Sequence, residues 1–248
     1  MDVVDGVDAL KHDQGPLFAV VGVFDGLHRG HAYLLEHLVT EARARSALPS
    51  VITFDHHPDE ILTGSAPPLL LDPQERLERL EAAGVEVTVV QHFDDALRHT
   101  AFDAFVERIR ARTALAGFLM TPDAAFGYER RGTPDALAAL GERDGFEVVV
   151  VPPFTLDGQS IRSSAIRDAV AAGDLRQADR LLGRPFAITG AVGQDGRLAF
   201  ALPMSLPPAG RYPCEIHGHP ATMTIDAGQA RLETPIDPSA RMEVTFRT

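Results

Sequence analysis

The sequence predicts an α/β fold built on a parallel sheet, followed by a small all-β domain. Two observations carry the prediction. Between residues 16 and 183 short apolar runs alternate with segments of helical periodicity, and after Arg184-Pro185 that periodicity stops. Strands alternating with helices imply βαβ units, whose crossover helices cover both faces of a parallel sheet.

Pro16–Phe24 (PLFAVVGVF) is an apolar run suited to a buried strand, and Gly30–Ser46 carries apolar residues at helical spacing. Ser50–Phe54 reads as the next strand. Asp72–Ala83 (DPQERLERLEAA) reads as a helix, opened by an N-cap aspartate with proline behind it and closed by Gly84. Val85–Val90 is strand-like, Phe102–Arg112 helical, Gly117–Met120 strand-like, Pro134–Arg143 helical and Phe146–Val151 strand-like. Residues 1–184 are thus expected to form a Rossmann-like domain. Residues 185–248 hold short alternating runs (FAITGAV, RYPCEIHG, ATMTIDA, MEVTF) rich in turn residues, as expected of a small β-barrel.

With 248 residues and 45% hydrophobic content the chain can bury two cores. No run of eighteen apolar residues occurs, and the opening MDVVDGVDALKHD is acidic and polar, so neither a membrane span nor a secretory leader is expected and the location is expected to be cytoplasmic. A net charge of -12 argues against nucleic-acid and membrane partners. The only cysteine, Cys214, cannot form an internal disulfide, and His92, His99, His217 and His219 show no metal-ligand spacing, so no dedicated metal site is expected. Lys11 is the only lysine and precedes the first apolar run, which excludes a Walker A lysine and a Schiff base. Phosphate must therefore be handled by arginine, histidine, hydroxyls and backbone amides. Oligomeric state is not encoded in any pattern found here.

The stretch GVFDGLHRGH, Gly22–His31, follows the first strand and opens the first helix. Ligands of open α/β sheets bind beyond the carboxyl ends of the strands, where a helix start offers free N–H groups. Gly22, Gly26 and Gly30 permit tight turns there, and His28 and His31 can donate hydrogen bonds to phosphate oxygens as charge grows during displacement at phosphorus. Elsewhere, Ser163-Ser164 fits either phosphate binding or a helix cap, Phe126 either a pocket wall or a core aromatic, and Asp123 either a ligand contact or a turn residue.

GVFDGLHRGH resembles the signature of the HxGH nucleotidyltransferase superfamily, and in its extended form that of bacterial FAD synthetase, the FMN adenylyltransferase half of bifunctional riboflavin kinase/FAD synthetase. TFDHHP (Thr53–Pro58) is similar to that family's Phe-x-Pro-His-Pro segment, with His56 where proline is usual. TPDAAFGYERRG (Thr121–Gly132) is similar to its flavin segment, and IRSSAIR (Ile161–Arg167) resembles its Ile-Ser-Ser-Thr-x-Ile-Arg motif. The resemblance spans about Phe18 to Val192 and implies transfer of AMP from Mg-ATP to FMN, giving FAD and pyrophosphate, with Mg2+ arriving on ATP. It implies that His28, His31 and Arg167 are catalytic, and that Gly22, Phe24, Asp25, Gly26, Gly30, Ser163 and Ser164 bind ATP. It further implies that His57, Asp123 and Phe126 bind the flavin.

Two departures bear on function. Ala124 replaces an aromatic of the flavin segment, which leaves room for a different phosphorylated acceptor. In the second domain GRLAFALPMSL (Gly196–Leu206) stands where the family's kinase barrel has Gly-Phe-Pro-Thr-Ala-Asn, and the chain stops at Thr248. A shortened barrel without riboflavin kinase activity is therefore expected. Two alternatives to FMN adenylylation remain: nucleotidyl transfer to another acceptor, and non-catalytic binding of a nucleotide or flavin.

Overall fold

The computed structural model describes residues 1–233 and 238–248. They form two compact units: residues 1–24, 31–67 and 77–154 in one, residues 25–30, 68–76 and 155–248 in the other.

The first unit contains β1 (Asp2–Asp5), β2 (Leu17–Val21), most of α1 (Arg29–Ala44), β3 (Leu48–Phe54), α2 (Asp59–Thr63), the later part of α3 (Pro73–Ala82), β4 (Val87–Gln91), α4 (Asp95–Arg98), α5 (Phe102–Arg110), β5 (Leu115–Met120), α6 (Pro134–Asp144) and β6 (Glu147–Val150). Its six strands are ordered β1-β4-β3-β2-β5-β6 and every neighbouring pair is parallel. From β2 the chain moves outward through β3 and β4, then returns to β5 on the other side, so the switch point lies between β2 and β5. This is the Rossmann-like sheet expected from the alternation.

Strand alternation sorts the core into two faces. Leu17 and Ala19 of β2, Ile52 of β3, Val87 and Val89 of β4, and Phe118 and Met120 of β5 join Phe105, Val106 and Ile109 of α5 and Leu137 and Leu140 of α6. Helix α1 buries Leu35, Leu38 and Ala42, a spacing of three and four that makes one stripe; each fully buried leucine contributes roughly 1.5–3 kcal/mol. Helix α6 is opened by Thr133, whose side chain accepts from the Ala136 amide, with proline behind it, and closed by Gly145 in the left-handed region.

Strand β1 is a departure from the sequence reading, which notes residues 1–13 only as acidic and polar and assigns them no strand. Asp2–Asp5 pairs in parallel with Val87–Val90, and Val4, Val7 and Leu10 are buried. Asp2 and Asp5 are exposed at the two ends of this edge strand, which masks the alternation; charge on an edge also blocks further strand pairing.

The second unit holds β7 (Thr155–Leu156), β8 (Gln159–Ser160), α7 (Ser163–Ala171), α8 (Leu175–Leu182), β9 (Ala187–Val192), β10 (Leu198–Ala199), β11 (Gly210–Ile216), β12 (His219–Asp226), β13 (Gln229–Leu232) and β14 (Ser239–Phe246). The junction at 184/185 lies inside it. Strands β9–β14 form an antiparallel sheet in the order β10-β9-β14-β11-β12-β13. Its two edges meet through the Arg197–Arg231 bridge and the Leu232 amide donating to the Gly196 carbonyl at 2.9 Å, so the barrel is nearly closed. Phe186 and Phe246 stack inside this unit at 5.5 Å. Helix α8, missed in the sequence, is capped by Asp174 and buries Leu175, Ala178, Leu181 and Leu182.

Segment 68–76 is bound into this second unit. The Leu69 amide donates to Pro203 O (2.8 Å), the Ser205 amide donates to Leu69 O (2.7 Å), and Leu69 forms a parallel bridge with Met204. A few residues on, the buried Glu75 carboxylate accepts from the Thr189 hydroxyl at 2.8 Å.

Candidate functional site

In the first unit a cavity of about 740 Å³ opens at the switch point, a size suited to a small-molecule ligand. Its wall is made by the ends of β2 and β5, by Gly22 and Val23 beyond β2, and by Phe54 at the end of β3. That is where an open parallel sheet offers a ligand site, because strand ends diverge at the switch point. Most of the lining is apolar, with Phe93, Phe105 and Phe126 among the rings.

Of the residues expected at a flavin site, two line this cavity. Phe126 does so while packing on Phe105 and Phe118 at 5.8 and 5.6 Å, so it serves wall and core together. His57 is the second; its Nδ1 accepts from the Asp59 amide at 3.2 Å, which fixes the ring at the cavity wall. Asp123 is exposed and outside the lining, and its carboxylate accepts from the Thr121 hydroxyl at 2.9 Å, holding the turn. Ala124 and Ala125 line the cavity beside it. Beyond Phe126 the loop closes by a bridge to Gly132, and Glu129 and Arg130 carry φ of 54° and 56°, a left-handed pair of non-glycine residues of the kind that collects at functional loops.

Also in the first unit, Phe24 has φ 55° and is buried, its ring 5.0 Å from that of His31, the third residue of α1. Gly22 is fixed by its amide donating to Ile52 O at 3.0 Å.

The second unit holds the rest of GVFDGLHRGH, and it is tightly built. The Asp25 carboxylate is 3% exposed and accepts from the Leu70 amide at 2.9 and 3.1 Å and from Arg167 Nη2 at 2.7 Å. Arg167 also donates through Nε to Pro68 O at 2.9 Å. Ser163 Oγ donates to the Asp25 carbonyl at 3.0 Å from the first residue of α7, and Ser164 is exposed on the same turn. Arg184 donates to the carbonyls of Gly26 (2.8 Å) and Leu27 (3.3 Å). Gly26 needs its freedom, with φ of 80° and Leu70 3.1 Å from where a Cβ would stand. Gly30 lets the His28 ring approach, since a Cβ there would meet it at 3.2 Å.

His28 is 4% exposed, and burial, helped by the Arg184 cation, pushes its pKa down to about 4. It is a neutral donor at pH 7. Ser163 and Arg167, expected to bind phosphate, are placed on the loop itself: they clamp Asp25, and Asp25 clamps Leu70. Arg184 is the residue that sequence reasoning missed. Its one signal is its place, directly after the Gly183 that ends α8.

The fold and its cavity thus define an α/β protein of the Rossmann-like class with a cavity of small-molecule size at the switch point. The FAD synthetase family model matches residues 10–165. A bifunctional riboflavin kinase/FMN adenylyltransferase of Haemophilus influenzae is 36% identical over 180 residues, covering 72% of this chain and 58% of that one. One of Escherichia coli K12 is 30% identical over 237 residues, covering 94% and 76%. This chain belongs to the FAD synthetase family. Its match spans 58% and 64% of the relatives from Haemophilus influenzae and Pseudomonas fluorescens, less than two thirds of each. A solved structure described as a macrolide-efflux protein from Streptococcus pneumoniae has the same fold, with a TM-score of 0.79 at 22% identity, covering 99% of this chain and 88% of that one. Among the described residues no helix is long and apolar enough to cross a membrane.

Proposed function

We propose that this chain is an FMN adenylyltransferase, transferring AMP from Mg-ATP to FMN to give FAD and pyrophosphate. The observation that carries the reading is the aromatic-walled cavity at the switch point, in a chain of the FAD synthetase family whose Gly22–His31 loop follows β2. A phosphate oxygen of FMN attacks the α-phosphorus of ATP in line, the bond to the β-phosphate oxygen breaks, and pyrophosphate leaves. Little covalent chemistry falls to the protein, so its work is positioning and charge stabilisation.

In this reading neutral His28, with His31, donates to phosphoryl oxygens. Asp25, Ser163, Arg167 and Arg184 hold the loop that presents His28. Gly22, Phe24, Gly26 and Gly30 give that loop its path, and Ser164 supplies an exposed hydroxyl. The flavin ring lies among the cavity aromatics, with Phe126 as one wall and His57 near its phosphate. Asp123, bonded to Thr121, holds the turn that carries Phe126 and is read as the polar partner of the flavin. Mg2+ enters as part of the ATP substrate. The barrel is read as lacking riboflavin kinase activity, because Gly196–Leu206 has neither the threonine nor the asparagine of the kinase motif it resembles.

A second reading, adenylyl transfer to another phosphorylated acceptor, is favoured by Ala124 on the cavity wall where the resemblance has an aromatic. Incubation with Mg-ATP and FMN, riboflavin or other phosphorylated acceptors in turn, with flavins separated and pyrophosphate quantified, tests both. FAD from FMN with no FMN from riboflavin is expected. Pyrophosphate only with another acceptor moves the assignment to the second reading, and FMN from riboflavin overturns the claim about the barrel.

A further inference from the structure

We propose that Asp55, His56 and His92 form a binding site for one divalent transition-metal ion of the zinc class, on the loops that follow β3 and β4. The proposal is independent of FMN adenylylation, which uses neither His56 nor His92.

Strand register makes the site. Phe54 of β3 pairs with Gln91 of β4, and the Asp55 amide continues the ladder to Gln91 O at 3.2 Å, so Asp55 and His92 lie side by side just beyond the two strands. This is why linear spacing does not disclose it. The carboxylate is oriented by the backbone: Oδ1 accepts from the His56 amide at 2.8 Å and from the Phe93 amide at 3.3 Å. Oδ2 is left facing both imidazoles, 2.5 Å from His92 Nδ1 and 3.3 Å from His56 Nδ1. The rings stand nearly perpendicular at 87°, and one donor atom from each residue lies within 4.8 Å of the others.

An ion about 2.0–2.2 Å from each donor needs ligand atoms roughly 3.3 Å apart: the Asp55–His56 contact already has that length, and the shorter Asp55–His92 contact must open, which rotation of exposed side chains can supply. Both histidines are exposed, which gives the ion an entry path and leaves water its remaining positions. Two imidazole nitrogens and one carboxylate oxygen suit Zn2+, Co2+ or Ni2+; Mg2+ and Ca2+ want an all-oxygen shell. A bound ion would tie the ends of β3 and β4 together at the loops whose Phe54, His57 and Phe93 line the cavity.

The test is calorimetric titration of the chelator-treated full chain with ZnCl2 alone, repeated with MgCl2, and with Co2+ followed by its visible absorption. One equivalent of Zn2+, no response to Mg2+, and Co2+ bands of a nitrogen- and oxygen-ligated ion are expected. His92→Ala and His56→Ala, both at exposed positions and checked by thermal melting, are expected to weaken binding at least roughly tenfold each. Replacing both His217 and His219 by alanine is expected to change nothing. Absence of Zn2+ binding, or unchanged affinity in the chain carrying both His56→Ala and His92→Ala, overturns the site.

Discussion

His28 is buried in the same unit as the Arg184 cation, an environment that favours the neutral imidazole. A neutral imidazole donates one hydrogen bond without bringing a counter-charge, and in a site shielded from water such a donor stabilises developing phosphoryl charge strongly. On the proposed adenylyl transfer, replacing His28 with Ala is expected to lower kcat for pyrophosphate release roughly 10²- to 10³-fold, on top of the stability lost by emptying a buried site; full turnover in that variant would remove His28 from the proposed chemistry. Acid reveals the same burial. Between about pH 6.5 and about 4 the unfolded chain protonates His28 and the folded chain resists, so this residue's contribution makes stability fall as pH drops through that window and leaves it unaffected above. The full loss, reached below pH 4, is about 3 kcal/mol. Urea unfolding at pH 7 and pH 4.5 measures it, and His28→Gln is expected to show a smaller difference between the two than the parent chain.

Among the elements, strands and helices with strong periodicity were legible. Ser50–Phe54, Phe102–Arg112 and Pro134–Arg143 appear within a few residues of the strand and helices found, because apolar spacing and caps agree there. Strand β1 and helix α8 were not, the first because aspartates flank its valines, the second because four charged or polar residues interrupt eight. Of the site, the glycines and histidines of Gly22–His31 were legible as a loop, whereas the clamp by Arg184 and Leu70 and the meeting of Asp55 with His92 depend on long-range pairing that spacing does not record. Gly117 on β5 marks a close approach that was equally hidden. A Cβ there would stand 2.3 Å from Glu147 O on neighbouring β6 and 2.8 Å from the Phe18 ring. Gly117→Ala is therefore expected to destabilise by roughly 1–3 kcal/mol, read from the urea midpoint.

Across the whole molecule, the compact units do not follow chain order: residues 25–30 and 68–76 are gathered with 155–248. The second unit carries its own reporter in Cys214 on β11, which is 1% exposed and whose thiol burial pushes up to about 11. Thiolate is the reactive form, so alkylation at pH 8 is expected to be negligible in the native chain and rapid once the barrel opens in urea. Prompt labelling without denaturant would show that the barrel is looser than its packing implies.

The pairing of Leu69 with Met204 has a practical corollary. Leu70 follows Leu69 and holds Asp25, so the loop inherits its stiffness from a strand segment far downstream, whatever chemistry the barrel itself performs. Fraying of residues 203–205 would slacken the segment that holds Asp25. Searches for variants with a firmer loop therefore belong around Pro203–Ser205.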